Sequence, residues 1–154
     1  DQAPLIVALD QIQDPQNLGS IIRSSVALGA HGIILTKKNS CGVTSSAIRA
    51  SAGATNHIPI AHETNMRQCL DLLKKSGLWI VGTHLEGEVT PDVIDFIQPT
   101  VLVIGSEGKG LRPLVAKTCD LLCKIPMEGQ WSSLNAGAAA AVCLYEALRQ
   151  RKQA

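Results

Sequence analysis

Aromatic residues are scarce: two Trp, one Tyr and one Phe make up 3% of 154 residues. A core of this chain must therefore be filled by Ala, Val, Ile and Leu, the usual content of an α/β sandwich. No apolar run reaches the roughly 18 to 20 residues that a bilayer span needs, and the first residues, Asp1-Gln-Ala-Pro, have neither the basic end nor the apolar stretch of a signal peptide. Both absences point to a soluble, intracellular protein and to no membrane partner. Paired C-x-x-C spacing is missing too. The five cysteines, Cys41, Cys69, Cys119, Cys123 and Cys143, are odd in number and scattered, which reads as free thiols rather than a zinc site or a disulfide framework. Charge of one sign is also lacking, with 14 Lys plus Arg against 13 Asp plus Glu. Composition gives a polyanion no general attraction, so any nucleic-acid contact must come from local clusters or from another domain.

What the chain has is apolar content, 45% of it, which excludes disorder and suits one domain over residues 1–154. Short continuous apolar runs at 5–9, 32–35, 58–61, 78–82, 101–104 and 121–125 suit strands buried on both faces. Helix-like stretches at 17–28, 45–52, 64–75, 111–117 and 133–151 fall between and after them. Strand and helix alternate, which predicts an α/β fold with a parallel sheet flanked by helices on both faces.

Three segments carry chemistry. In Asp10-Gln-Ile-Gln-Asp-Pro-Gln-Asn-Leu-Gly-Ser-Ile-Ile-Arg23 the chain leaves the first strand through a turn and opens a helix at Asn17. Asn17 and Arg23 then lie within the first two turns, where free N–H groups favour a phosphate or a developing oxyanion. The plain alternative is that Asn17 only caps the helix and Arg23 is a solvated charge. In Val101-Leu-Val-Ile-Gly-Ser-Glu-Gly-Lys-Gly-Leu111 a buried strand runs into a Gly-rich turn, which lets a ligand approach the backbone. The order G-x-E-G-x-G differs from the dinucleotide fingerprint, and Glu107 would repel a pyrophosphate, which argues against a nucleotide-dependent oxidoreductase. Its carboxylate suits a cationic ligand, or could hold Arg23; a solvent-facing turn residue is the alternative. In Lys124-Ile-Pro-Met-Glu-Gly-Gln-Trp-Ser-Ser-Leu-Asn-Ala-Gly-Ala-Ala-Ala-Ala141 a loop leads into an Ala-rich helix starting at Ser133 or Leu134, with a serine cap as its plain explanation.

Together Asn17-Leu-Gly-x-x-x-Arg23, Gly105-Ser-Glu-Gly-x-Gly-Leu111 and Ile125-Pro-Met-x-Gly-x-x-Ser-Ser-Leu-Asn135 resemble the three motifs of the SpoU (TrmH-like) branch of the SPOUT RNA methyltransferases, over nearly the whole chain. The resemblance implies a C-terminal deep trefoil knot, a homodimer, and S-adenosylmethionine-dependent methylation of a ribose 2′-hydroxyl, with S-adenosylhomocysteine as product and no metal. It carries over Thr83, Gly87, Gly105, Glu107, Gly110, Ile125, Met127, Ser133 and Leu134 as cofactor contacts. Arg23, Asn17, Glu107, Ser133 and Asn135 form the implied catalytic neighbourhood. Within the family the motifs look nearest to the ribosomal-RNA guanosine enzymes, so ribosomal RNA is expected over transfer RNA, and DNA is not expected. Such enzymes usually carry a small N-terminal RNA-binding domain, and this chain, starting without Met at the first catalytic strand, is expected to be a fragment or processed product from which that domain is absent. The implied location is the cytoplasm of a bacterium or the mitochondrial matrix of a eukaryote. One departure is Asn135-Ala-Gly-Ala-Ala, where similar proteins read Asn-Val-Ser-Val-Ala; Gly137 removes a serine and its hydrogen bond. It leaves a catalytically weak RNA-binding or assembly protein as the alternative from another class.

Overall fold

The computed structural model describes residues 2–131 and 133–154; Ser132, within the third motif, lies outside the described residues. The order is β1 (Leu5–Asp10), α1 (Pro15–Ala27), β2 (Gly32–Thr36), α2 (Ser45–Ala50), β3 (Ile60–Glu63), α3 (Met66–Lys75), β4 (Trp79–Thr83), β5 (Thr100–Gly105), α4 (Pro113–Thr118), β6 (Leu121–Cys123) and α5 (Ala136–Gln153), with two short 3-10 turns between. All six strands pair in parallel, in the order β3-β2-β1-β5-β4-β6. The expected α/β class is therefore what the chain adopts.

Strand alternation divides the apolar side chains between two faces. Val7 and Leu9 of β1, Ile33 and Leu35 of β2, and Leu102 and Ile104 of β5 pack with Leu18, Ile21 and Ile22 of α1 and with Cys143, Leu144 and Ala147 of α5. On the other face Ala8, Ile34, Val101 and Val103 pack with Met66 and Leu70 of α3 and Val115 of α4. Small residues set the approach of the helices. A Cβ on Gly19 would overlap Ala50 and the Ala47 carbonyl of α2, so only glycine permits the α1–α2 contact. A Cβ on Gly137 would stand 3.0 Å from Ser20 Oγ. A serine at Gly137 would thus press on the Ser20 side chain, which would have to shift by a few tenths of an ångström, and the glycine leaves that α1–α5 contact unstrained.

Several boundaries differ from the sequence reading, each for a physical reason. The first helix opens at Pro15, not Asn17, because Asp14 caps it, accepting from Gln16 N at 2.8 Å; proline at the first helical position is preset for that geometry. The last helix opens at Ala136, capped by Asn135, whose Oδ1 accepts from Ala138 N at 2.8 Å. Neither Ser133 nor Leu134 begins it. The third strand lies two residues later than the apolar run, since Ile58 is buried below the sheet edge rather than paired in it.

Candidate cofactor and RNA site

Strand order changes direction between β1 and β5, and in parallel sheets the crevice beyond the carboxyl ends at such a switch is where ligands bind. A cavity of about 290 Å³ opens there, beyond the ends of β4, β5 and β6. Its walls include Thr83, Gly105, Glu107, Gly110, Ile125, Met127, Ser133, Leu134 and Asn135. Eleven groups were expected near a ligand on sequence grounds besides Arg23; all but Gly87 and Asn17 line this one cavity. His84 and Leu85, inside the expected loop from Thr83 to Gly87, line it too, while Cys123 and Lys124 were missed; they lie at and just after the end of β6, a place that topology reveals and a motif does not.

The Gly-rich loop is shaped by its own backbone. Ser106 pairs with Gly110 across the turn, Gly110 N donating to Ser106 O at 2.8 Å, and Gly108 and Gly110 hold φ of 76° and 65°. A Cβ on Gly105 would overlap the backbone of Gly110 and Leu111. A side chain here would break the loop's closure before it reached any ligand. Gly87 has the same kind of role. It lies in a neighbouring cleft, and a Cβ there would meet the backbone of Cys123 and Lys124 at 2.7 Å, so glycine seats the loop after β4 against β6.

Asn17 is 6% exposed and does not cap its helix. Asn135 Nδ2 donates to Asn17 Oδ1 at 2.9 Å, while Asn135 Oδ1 receives Ala138 N. Because the cap fixes which side of the Asn135 amide accepts, the network has one direction, and the Asn17 NH2 is left as its donor end. This pair joins the first and third motifs at the cavity rim. Arg23 does not join them. It is exposed, and six residues of helix turn it by about 240° from Asn17 and carry it ~9 Å along the axis. Glu107 is exposed as well, and the ion pairs among the described residues do not include a Glu107–Arg23 contact, so the anchoring role considered for Glu107 is not what the structure shows.

The buried ion pair is another one. Asp10, 1% exposed at the end of β1, accepts from Arg112 Nε at 2.8 Å and Nη2 at 2.6 Å on one oxygen, and from Arg112 N at 3.0 Å on the other. It ties the strand leading into the first motif to the end of the Gly-rich loop. The available signal was an apolar strand ending in an aspartate and an arginine before Pro113, but 102 residues separate them. Behind the cavity wall, Cys143 of α5 meets Cys123; donation to the Cys123 sulfur, and then burial, hold the Cys143 thiol well above its ordinary range, so it stays neutral. Two histidines serve the backbone: His31 Nδ1 accepts from Leu5 N at 3.0 Å, tying the loop before β2 to the start of β1, and His84 Nδ1 accepts from Glu86 N at 3.1 Å within its turn.

Comparison with known proteins agrees with this geometry. An uncharacterized tRNA/rRNA methyltransferase of Mycolicibacterium gilvum is 49% identical over 153 residues, 99% of this chain and 49% of that protein. The crystal structure of the SpoU methyltransferase AviRb from Streptomyces viridochromogenes, in complex with AdoMet, superposes with a TM-score of 0.93 at 37% identity, covering 100% of this chain and 63% of that one. An AdoMet-bound rRNA methyltransferase from Sinorhizobium meliloti gives 0.89 at 37% identity, over 97% of this chain and 57% of that one. The chain thus spans about half to three fifths of the length of these relatives. Residues 4–145 match the model of the SpoU rRNA Methylase family, and the chain belongs to that family.

Proposed function

We propose that this chain is the catalytic domain of an S-adenosylmethionine-dependent RNA 2′-O-ribose methyltransferase acting on ribosomal RNA, with guanosine as the favoured nucleotide. The observation that carries the reading is the convergence of the second and third motifs on one cavity, with the Asn17–Asn135 bond at its rim. The cavity fits the cofactor's chemistry. Ile125, Met127 and Leu134 offer an apolar bed for an adenine, loop backbone offers hydrogen bonds, and the Glu107 carboxylate suits a cationic sulfonium. When bound, S-adenosylmethionine supplies an electrophilic methyl group.

The chain's own residues then position the acceptor. The Asn17 NH2, directed by Asn135, holds a ribose oxygen, and Ser133 shapes the loop beside it. Arg23 binds a neighbouring phosphate and stabilises negative charge growing on the 2′-oxygen. A guanidinium is a poor base catalyst because it holds its protons tightly, so the hydroxyl proton leaves to water or to phosphate. Because Arg23 stands off its own cavity on α1, which packs beside α5, it meets a ribose at the cavity of a second copy, and a homodimer belongs to this reading. The knot implied by family resemblance does as well; β6 pairing beside β4 and α5 returning to α1 are consistent with it. An N-terminal RNA-binding domain supplying affinity accords with the near-neutral charge and the greater length of the relatives.

The test is transfer of labelled methyl to ribosomal RNA followed by alkaline hydrolysis. Label in alkali-resistant dinucleotides, which only a blocked 2′-oxygen produces, is expected. Label on mononucleotides would place the methyl on a base and sink the ribose reading; transfer only to transfer RNA would sink the substrate class; no transfer by a cofactor-binding protein would favour the assembly role.

A further inference from the structure

A second cleft adjoins the cofactor cavity and shares Leu85, Lys124 and Met127 with it. Its floor is firm. Lys124 N donates to Val89 O at 2.8 Å, bridging the segment after β4 to the end of β6, and Gly87 is pressed against the Cys123–Lys124 backbone. Val89, Pro126 and Met127 give it apolar walls, while Glu88 and Lys124 bring one charge of each sign. Over it stands Trp131, 81% exposed in a chain with only two tryptophans. An indole left in water is a large apolar surface without a partner, and beside a site for RNA its face is a platform on which a base stacks.

Connectivity in the substrate says what fits. The acceptor 2′-oxygen and the base sit on adjacent ribose carbons, so once the ribose is presented to the cofactor cavity the base must enter a space sharing that cavity's wall. This cleft does. We infer that it is the guanine site of the substrate RNA: Trp131 stacks on the base, and Glu88 accepts its N1–H and N2–H. Guanine alone among the four bases offers two adjacent donors, one of them from a ring nitrogen, to a carboxylate. Lys124, at the boundary of the two spaces, is placed for the phosphate of the same nucleotide. The inference rests on the ribose-methylation reading and goes beyond it in naming what selects the nucleotide.

Trp79 begins β4, at the opposite end of the strand from the cavity, so Trp79→Phe leaves Trp131 as the sole indole emitter. The protein in that background, saturated with S-adenosylhomocysteine, is titrated with the tetranucleotides UUGU and UUUU. Quenching of Trp131 by UUGU at lower concentration than by UUUU is expected, with Glu88→Gln levelling the two. Equal responses, or none, overturn the inference. In transfer assays Trp131→Ala should raise the KM for RNA between about 5-fold and 150-fold, the range for losing one aromatic stack, with S-adenosylhomocysteine affinity unchanged. If that affinity falls by the same factor, Trp131 belongs to the cofactor site and the inference fails while ribose methylation stands. Methyl found on a base overturns both together.

Discussion

At the scale of single residues, the asparagine pair and Arg23 divide the work differently from what their shared motifs suggest. Asn135 caps α5 and directs Asn17, so it has a structural and a site role at once. Arg23 is exposed and touches neither. Arg23→Ala should therefore leave melting temperature and S-adenosylmethionine affinity unchanged while lowering the single-turnover rate by about 100-fold or more, the scale of losing one transition-state charge contact. Wild-type turnover in the mutant would show a surface charge and nothing more. Arg23→Lys should be nearly as impaired, because an ammonium cannot hold a phosphate oxygen and a sugar oxygen in one plane.

At the scale of elements, the Gly-rich loop depends on a contact made from another strand. Asp10 is the only carboxylate among the described ion pairs whose side chain is fully buried, at 0%, and all three of its hydrogen bonds go to Arg112, directly behind that loop. Removing one partner of a buried pair costs on the order of 3 to 5 kcal/mol. Since the Arg112 side chain is 44% exposed, the lower end applies, and Asp10→Ala should destabilise the fold by ~3 kcal/mol by the same measure. It should also weaken cofactor binding, because the strand to which the loop returns is no longer pinned. Denaturant unfolding and calorimetry on one preparation check both; unchanged affinity in a folded mutant would show that the loop closes through its glycines alone.

The same elements show what could be read from the chain beforehand. Strands β1, β2, β4 and β5 were legible within a residue because burial on both faces leaves a continuous apolar run. Strand β3 was displaced because apolarity marks burial, not pairing: Ile58 is buried outside the sheet, while Ala61 and His62, in the ladder, are exposed. Strand β6 ends at Cys123 although the apolar run continues to Ile125, where the chain turns into the cavity wall. Within the site, the loop residues followed from motif order. The Asp10–Arg112 pair and the second cleft did not, for both are made by segments distant in sequence and brought together only by strand order.

At the scale of the whole molecule, the question is what covers α5. The apolar residues of α1, Leu18, Ile21 and Ile22, are all buried within the chain and offer nothing to a partner. On α5, however, Ala138, Val142 and Tyr145 fall at helical spacing on the outer face, with Val142 42% and Tyr145 59% exposed. A small apolar stripe on a helix is the kind of self-complementary surface a two-fold dimer closes, and α1, with Arg23, packs at its side. Light scattering at micromolar concentration should therefore give about twice the chain mass of 16.3 kDa, a doubling set by two-fold closure. Val142→Glu should halve it. The side chain is already partly in water, so the mutation need not disturb the fold, and S-adenosylhomocysteine affinity should persist because the cavity is lined from within one chain. Methyl transfer should nevertheless collapse with the mass, since Arg23 would lose the cavity it serves. A monomeric wild type that transfers methyl at full rate would sink the dimer; a monomeric Val142→Glu that remains fully active would keep the dimer but return Arg23 to its own chain's site.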